Sequence, residues 1–244
     1  MTAAPDTSIR DIVVADFRAA SVFHTFDIDF CCAGDRTVAD VCREKNLDAG
    51  SVLAEIEKAC ARPDTEAPRF EMWEAPALIE YIVERHHAYV RAALPAILAH
   101  VQRVADAHGE RHPELHDVAE VMTRVAADML VHVAREEAIL FPYVERLFHA
   151  VNDDRLVRDA FFGSVVNPVS MMERDHEAAG RSMALVRELT DGYRVPEDAC
   201  TTYRICLQEL ERFERDLHTH VHLENNILFP AALDLETRLR RPPA

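Results

Sequence analysis

Apolar positions along this chain recur at steps of three and four, set among Ala, Leu, Glu and Arg, with little of the alternation that marks strands. The pattern predicts helix nearly everywhere and an all-α fold. Residues 8–25, 37–45 and 51–61 read as three short helices opened by Thr7, Thr37 and Gly50-Ser51, forming a small helical N-terminal domain over 1–62. Pro63, Pro68 and Pro76 interrupt helix and mark 63–76 as a linker. Within 77–244, long helices are predicted over 77–107, 113–147, 168–190 and 196–233, lengths that suit a four-helix bundle. The stretch 148–167 is longer than a hairpin loop and is expected to hold a helical turn near 153–162.

The second and fourth long helices contain near-copies of one segment. His132 to Pro142 and His220 to Pro230 both read H-x-x-x-E-x-x-I-L-F-P, and the first and third helices share a shorter echo in Glu84-Arg85-His86-His87 and Glu173-Arg174-Asp175-His176. The bundle is therefore expected to consist of two similar helical hairpins. A spacing of four places His132 and Glu136 on one helical face, and likewise His220 and Glu224. The apolar seam identifies that face: Val118, Met122, Val125, Met129, His132, Glu136, Ile139 and Tyr143 in the second helix, and Tyr203, Cys206, Leu210, Phe213, Leu217, His220, Glu224 and Ile227 in the fourth. In the first helix the seam runs through Val83, His87 and Val90, and in the third through Met172, His176 and Ala179. Each long helix thus points a histidine inward.

One inward histidine is ordinarily a core residue bonded to a carbonyl. Four, joined by two inward glutamates at matching spacing, would cost several kcal/mol for each buried charge unless something compensates them, and a metal does so. With imidazole and carboxylate but no thiolate in the seam, iron or manganese fits better than a structural zinc or an iron–sulfur cluster. Two hairpins each supplying two His and one Glu suggest two metals bridged by the glutamates. Two octahedral ions need about twelve bonds and these side chains supply roughly eight, leaving room for an oxo or hydroxo bridge and a small ligand. Glu84 and Glu173 offer a competing E-x-x-H set. His86, His218 and His222 lie off the seam, in supporting or surface positions. His100, His108, His112, His116 and His149 fall near helix ends, where solvation is expected.

Composition narrows the function classes. Lys and Arg number 27 against 43 Asp and Glu, a net charge of −16 that disfavours nucleic acid and anionic membrane surfaces as partners. No stretch approaches the roughly 18 uncharged apolar residues of a membrane span, and the N-terminal segment does not read as a leader, so a cytoplasmic protein, monomer or homodimer, is expected. Six cysteines without a C-x-x-C do not suggest a disulfide framework. Cys31 and Cys32 are either packed as small apolar groups or exposed ahead of the helix at Thr37, with lowered pKa and affinity for iron. Cys42, Cys60, Cys200 and Cys206 read as buried spacers.

These motifs resemble the repair-of-iron-centres proteins, a di-iron family with a hemerythrin-like bundle. The resemblance rests on Arg85-His86-His87, His132 to Pro142, Glu173 to Gly180 and His220 to Pro230, and on Asp29-Phe30-Cys31-Cys32-Ala33-Gly34, where the family usually continues Cys-Cys-Gly-Gly. It covers nearly the whole chain. Carried over position by position, it implies two irons held by His87, His132, Glu136, His176, His220 and Glu224, with Cys31 and Cys32 as the vicinal thiol pair. It also implies repair of iron–sulfur clusters after nitrosative or oxidative damage, by iron donation, with damaged iron–sulfur proteins as partners. Binding or scavenging of nitric oxide or oxygen, or reduction of nitric oxide by the same irons, is compatible with every residue named, and the sequence does not choose among these.

Overall fold

In this computed structural model, residues 3–61, 68–153 and 160–240 are described. The N-terminal unit holds α1 (Ile9–Ala15), α2 (Ala19–Thr25), α3 (Val38–Lys45) and α4 (Ala49–Cys60). The single helix expected over 8–25 is broken at Asp16, whose carboxylate accepts from the Arg18 backbone N–H and guanidinium and so competes with helical bonding. Ser8, Thr37 and Asp48 cap α1, α3 and α4, each accepting a backbone N–H three residues on.

Four long rods follow. The first joins α5 (Ala75–Tyr81) to α6 (Ala88–His108) through a π-helical turn, Ile82–His87. In the second, α7 (Glu114–Arg135) passes through a π turn, Glu136–Leu140, into α8 (Phe141–Asp153). The third is the uninterrupted α9 (Val166–Leu189). The fourth repeats the design of the second, with α10 (Thr201–Leu223), a π turn at Glu224–Leu228 and α11 (Phe229–Arg240). This rod starts later than Pro196 because residues 196–199 close a separate turn, Ala199 N–H donating to the Pro196 carbonyl at 3.2 Å. Before the first rod, Phe70 is buried and its ring meets those of Phe17, Trp73 and Tyr81, so this part of the expected linker is packed. Most of the turn expected at 153–162 lies outside the described residues.

The π turns explain the one systematic departure from the expected seam. Bonding to the fifth residue widens the turn, so a step of three no longer returns a side chain to the same face. Ile139 is accordingly exposed and Leu140 buried; Ile227 is half-buried and Leu228 buried; Val83 is half-buried and Ile82 buried.

Two apolar clusters fill the interior. One joins the N-terminal unit to the bundle through Phe23, Phe30, Met129, Met183 and Leu217; the other contains Ile82, Leu140, Met172, Leu228 and Phe229. The inward His and Glu residues lie between them. Among the described residues no helix is long and apolar enough to cross a membrane.

Candidate metal centre

His87 ends the first π turn, His132 and Glu136 straddle the start of the second, His176 sits mid-way along α9, and His220 and Glu224 straddle the start of the last. All six are at most 2% exposed. They form two overlapping sets, His87 with His220 and His132 with His176, and each set includes both Glu136 and Glu224. Within each set the candidate donor atoms lie within 4.8 Å of one another. Each set therefore draws one histidine from either hairpin.

The inner nitrogens converge. Nε2 of His87 and His220 are 3.1 Å apart, and those of His132 and His176 are 2.9 Å apart. Glu136 Oε2 stands 3.2 Å from His132 Nε2 and 3.4 Å from His87 Nε2, while Glu224 lies 3.0 Å from His220 and 3.1 Å from His176. Yet among the described residues both Glu136 oxygens and Oε2 of Glu224 lack a hydrogen bond. Imidazole nitrogens crowded together around orphaned carboxylate oxygens are costly in a protein interior, and a cation at their common focus removes that cost. The donor set is all nitrogen and oxygen, so iron fits it.

Three of the four outer nitrogens are held in turn, while His220 Nδ1 has no hydrogen-bond partner among the described residues. His87 Nδ1 donates to Glu137 at 2.7 Å, His176 Nδ1 to Asn225 Oδ1 at 2.8 Å, and His132 Nδ1 lies 3.5 Å from Asp175. Such contacts fix the tautomer that presents Nε2 inward. Glu137 and Asn225 escaped the seam reading, although both directly follow a seam glutamate at the same place in the repeat. Burial alone would lower the pKa of His87 and His132, but Glu136 and Glu224 outweigh it and hold them at about 10 and about 9. Burial opposes ionisation of Glu224, yet His220, His176 and His87 together hold its carboxyl well below the usual range.

Other candidates stand apart. Glu84 and Glu173 are exposed, which removes the competing E-x-x-H set. His86 is buried, 3.1 Å from Asp216, its ring parallel to that of His220. His222 is enclosed by Phe17 and Phe30 and accepts from Asn226; burial lowers it to about 3. His218 stacks on His24 of the N-terminal unit. His108, expected to be solvated, is instead buried against Tyr203. Cys200, expected to be buried, is exposed, and Cys60 is half-buried.

The Cys31–Cys32 turn differs from its reactive reading. Cys31 is buried, and its thiol is pushed well above the ordinary value by the hydrogen bond to Cys32, by burial and by the Asp29 charge. The two sulfurs are 3.7 Å apart, and Asp29 Oδ1 accepts from both cysteine backbone N–H groups. Asp29, Cys31 and Cys32 together could hold a metal ion. Ala33 has no left-handed φ, so the turn tolerates the departure from Gly there. Gly34 is closely packed: a Cβ would stand 3.1 Å from both Arg10 Cβ and the Phe30 oxygen, so a larger residue there needs the neighbours to give by a few tenths of an ångström. The turn docks on the bundle, with Asn226 Nδ2 donating to Phe30 O and Asn225 Nδ2 to Cys31 O.

Comparison with known proteins agrees with this architecture. Residues 78–232 match the hemerythrin HHE cation binding domain, and residues 5–60 match ScdA_N, a domain of unknown function. The chain is 33% identical over 231 residues to the iron-sulfur cluster repair protein YtfE of Musicola paradisiaca, covering 93% of this chain and 96% of that protein. It is likewise 33% identical over 230 residues to the YtfE of Pectobacterium atrosepticum, covering 93% and 97%. A YtfE of Yersinia pestis is 30% identical over 229 residues, covering 93% and 96%. With a buried His and Glu centre in a matched hemerythrin domain, and a Cys-Cys unit ahead of it, the chain belongs to the hemerythrin-type repair-of-iron-centres family.

Proposed function

We propose that this protein restores iron–sulfur clusters damaged by nitrosative or oxidative stress by donating iron from a two-iron centre. The observation that carries this reading is the pair of overlapping His2Glu2 sets sharing both carboxylates. In this reading His87 and His220 would hold one iron and His132 and His176 the other, with Glu136 and Glu224 within reach of both. Bound iron supplies ferrous and ferric ions that can be handed on or can bind a diatomic molecule. The chain's own part is to aim Nε2 of His87, His132 and His176 inward, through Glu137, Asp175 and Asn225, and to exclude water between two apolar cores. The names of the relatives support repair as the task, with damaged iron–sulfur proteins as clients.

Cys31 and Cys32 are the transfer candidates. They open on a groove of about 880 Å³ lined also by Asp29, Gly180, Arg187 and His218. The buried Cys31 thiol keeps its proton until a soft metal displaces it, which suits a transient stop rather than a resident site. The donor count also favours a second reading, in which nitric oxide or oxygen binds or is consumed at coordination positions the side chains leave open. Anaerobic transfer of labelled iron to an apo iron–sulfur enzyme, with nitric oxide consumption measured in parallel, separates the two. Iron donation requires label in the restored enzyme. A Cys31→Ser, Cys32→Ser variant should keep its iron, since Asn225 bonds the backbone rather than the thiol, and lose much of the transfer.

A further inference from the structure

The two copies of the repeated segment differ in the residue after the glutamate, Glu137 in the first and Asn225 in the second. Each accepts from the outer nitrogen of an imidazole on a neighbouring rod, His87 and His176 respectively. Beyond that point the paths diverge. Glu137 also accepts from Arg91 at 2.7 Å, an exposed residue of α6, so this path stays within the bundle. Asn225 has an amide nitrogen as well as an oxygen, and the nitrogen donates to the Cys31 carbonyl at 3.2 Å. A carbonyl can only accept, which turns the Asn225 oxygen toward His176 and places the imidazole proton on Nδ1. One carboxamide therefore spans the inward histidine of α9 and the thiol-bearing turn. A second observation places the turn at the same end of the centre: Cys32 Sγ lies 3.8 Å from where a Cβ on Gly180 would stand, one helical turn beyond His176.

We propose that Asn225 is a positioning residue through which the docked Cys31–Cys32 turn and the metal held by His132 and His176 stabilise each other, while the metal held by His87 and His220 is independent of the turn. This rests on the two-metal reading above. When Nε2 of His176 binds metal, its proton is confined to Nδ1, Asn225 is oriented by it, and the Cys31 carbonyl keeps its donor. Without metal, the ring is no longer anchored at Nε2 and its hold on the carboxamide weakens. Coupling between two sites is reciprocal, so whatever lifts the turn, such as a client seated in the groove, must loosen one metal and not the other. The metal nearer the thiols then becomes the one that leaves.

The test uses the full chain loaded anaerobically with ferrous ion. Metal content is measured first, then release to a ferrous chelator, and alkylation of Cys32 with and without iron is read residue by residue by mass spectrometry. In the unmodified chain two metals are expected, and loading should slow Cys32 alkylation. In Asn225→Ala, half of the metal should leave about 10-fold faster or more, the other half should be unchanged, and Cys32 alkylation should no longer respond to iron. Asn225→Asp restores an acceptor for His176 but no donor for Cys31, so metal retention should recover while Cys32 stays unresponsive. Glu137→Gln should speed the opposite half and leave the response of Cys32 intact, and it carries the test should the Asn225 variants fail to fold. Equal release of both halves from Asn225→Ala, or a Cys32 response that survives it, would overturn the coupling. A single metal in the unmodified chain would overturn the two-metal reading itself, and that result is seen before any variant is made.

Discussion

The segments His132–Pro142 and His220–Pro230 fold alike and meet different neighbours. Both bring His and Glu inward and pass into a π turn at the glutamate. In the first, Ala138 faces solvent; in the second, its counterpart Asn226 is buried, accepting from Arg10 and donating to the Phe30 carbonyl and to His222. The metal-facing chemistry is thus common to both copies, and one or two residues per copy decide what the outward side of the helix holds. The repeat accounts for the symmetry of the centre, and the differences between its copies account for the attachment of the N-terminal unit to one side of it.

The largest expected effect tests the symmetric part. Because each set contains both carboxylates, Glu136→Ala and Glu224→Ala should each lose both metals, along with any rise in unfolding temperature that metal confers, as read by metal analysis and thermal denaturation. Retention of one tightly bound metal in either variant would show that the carboxylates are not shared. Next in size, His87→Ala should lose one metal, whereas His86→Ala should keep both, since His86 touches Asp216 and the ring face of His220 rather than the focus of the donors. Equal losses would place the wrong histidine in the centre.

The asymmetric part is sharpened by a matched pair. Asn226→Ala removes three hydrogen bonds, two of them buried, and should cost about 2–4 kcal/mol in denaturant unfolding, while Ala138→Asn at the corresponding exposed position should change stability by no more than about 0.5 kcal/mol. Comparable losses at the two positions would erase the distinction between the copies. The smallest effect concerns pH. Burial, with the nearby charges of His218, Arg215 and Arg187, lowers His24 to about 4 from an ordinary value of 6.5. The unfolded chain then takes up a proton below about pH 6.5 that the folded chain refuses until about pH 4. Stability is therefore lost as pH falls through this window, by up to about 2 kcal/mol from this residue. His24→Phe should reduce the slope of stability against pH between 6.5 and 4, leaving the share of His218 and His222, which burial also lowers, to about 4 and about 3; an unchanged slope would remove His24 as a contributor.

Much of the centre was legible because helical periodicity is local. A spacing of four between His132 and Glu136, read against the apolar residues before them, suffices to place both on the buried face, and four such faces require a compensating ion. The reading failed just past those residues, at Ile139, Ile227 and Val83, because a π turn resets the helical phase and carries no signature in spacing counted by threes and fours. His108 escaped for a different reason. Proximity to a helix end says nothing about which neighbouring rod covers that end, and here Tyr203 does.

The sequence by itself determined the helical class, the four inward histidines, the two inward glutamates and the nitrogen and oxygen character of the donor set, since all of these follow from residue type and spacing along single helices. Only the tertiary structure decided that His87 pairs with His220 and His132 with His176, and that both glutamates serve each pair, because pairing depends on how rods pack against one another. It likewise decided the state of Cys31. A helix start a few residues on suggested a lowered thiol pKa, but the turn is buried against the bundle beside Cys32 and the Asp29 carboxylate, and a buried thiol next to a negative charge keeps its proton.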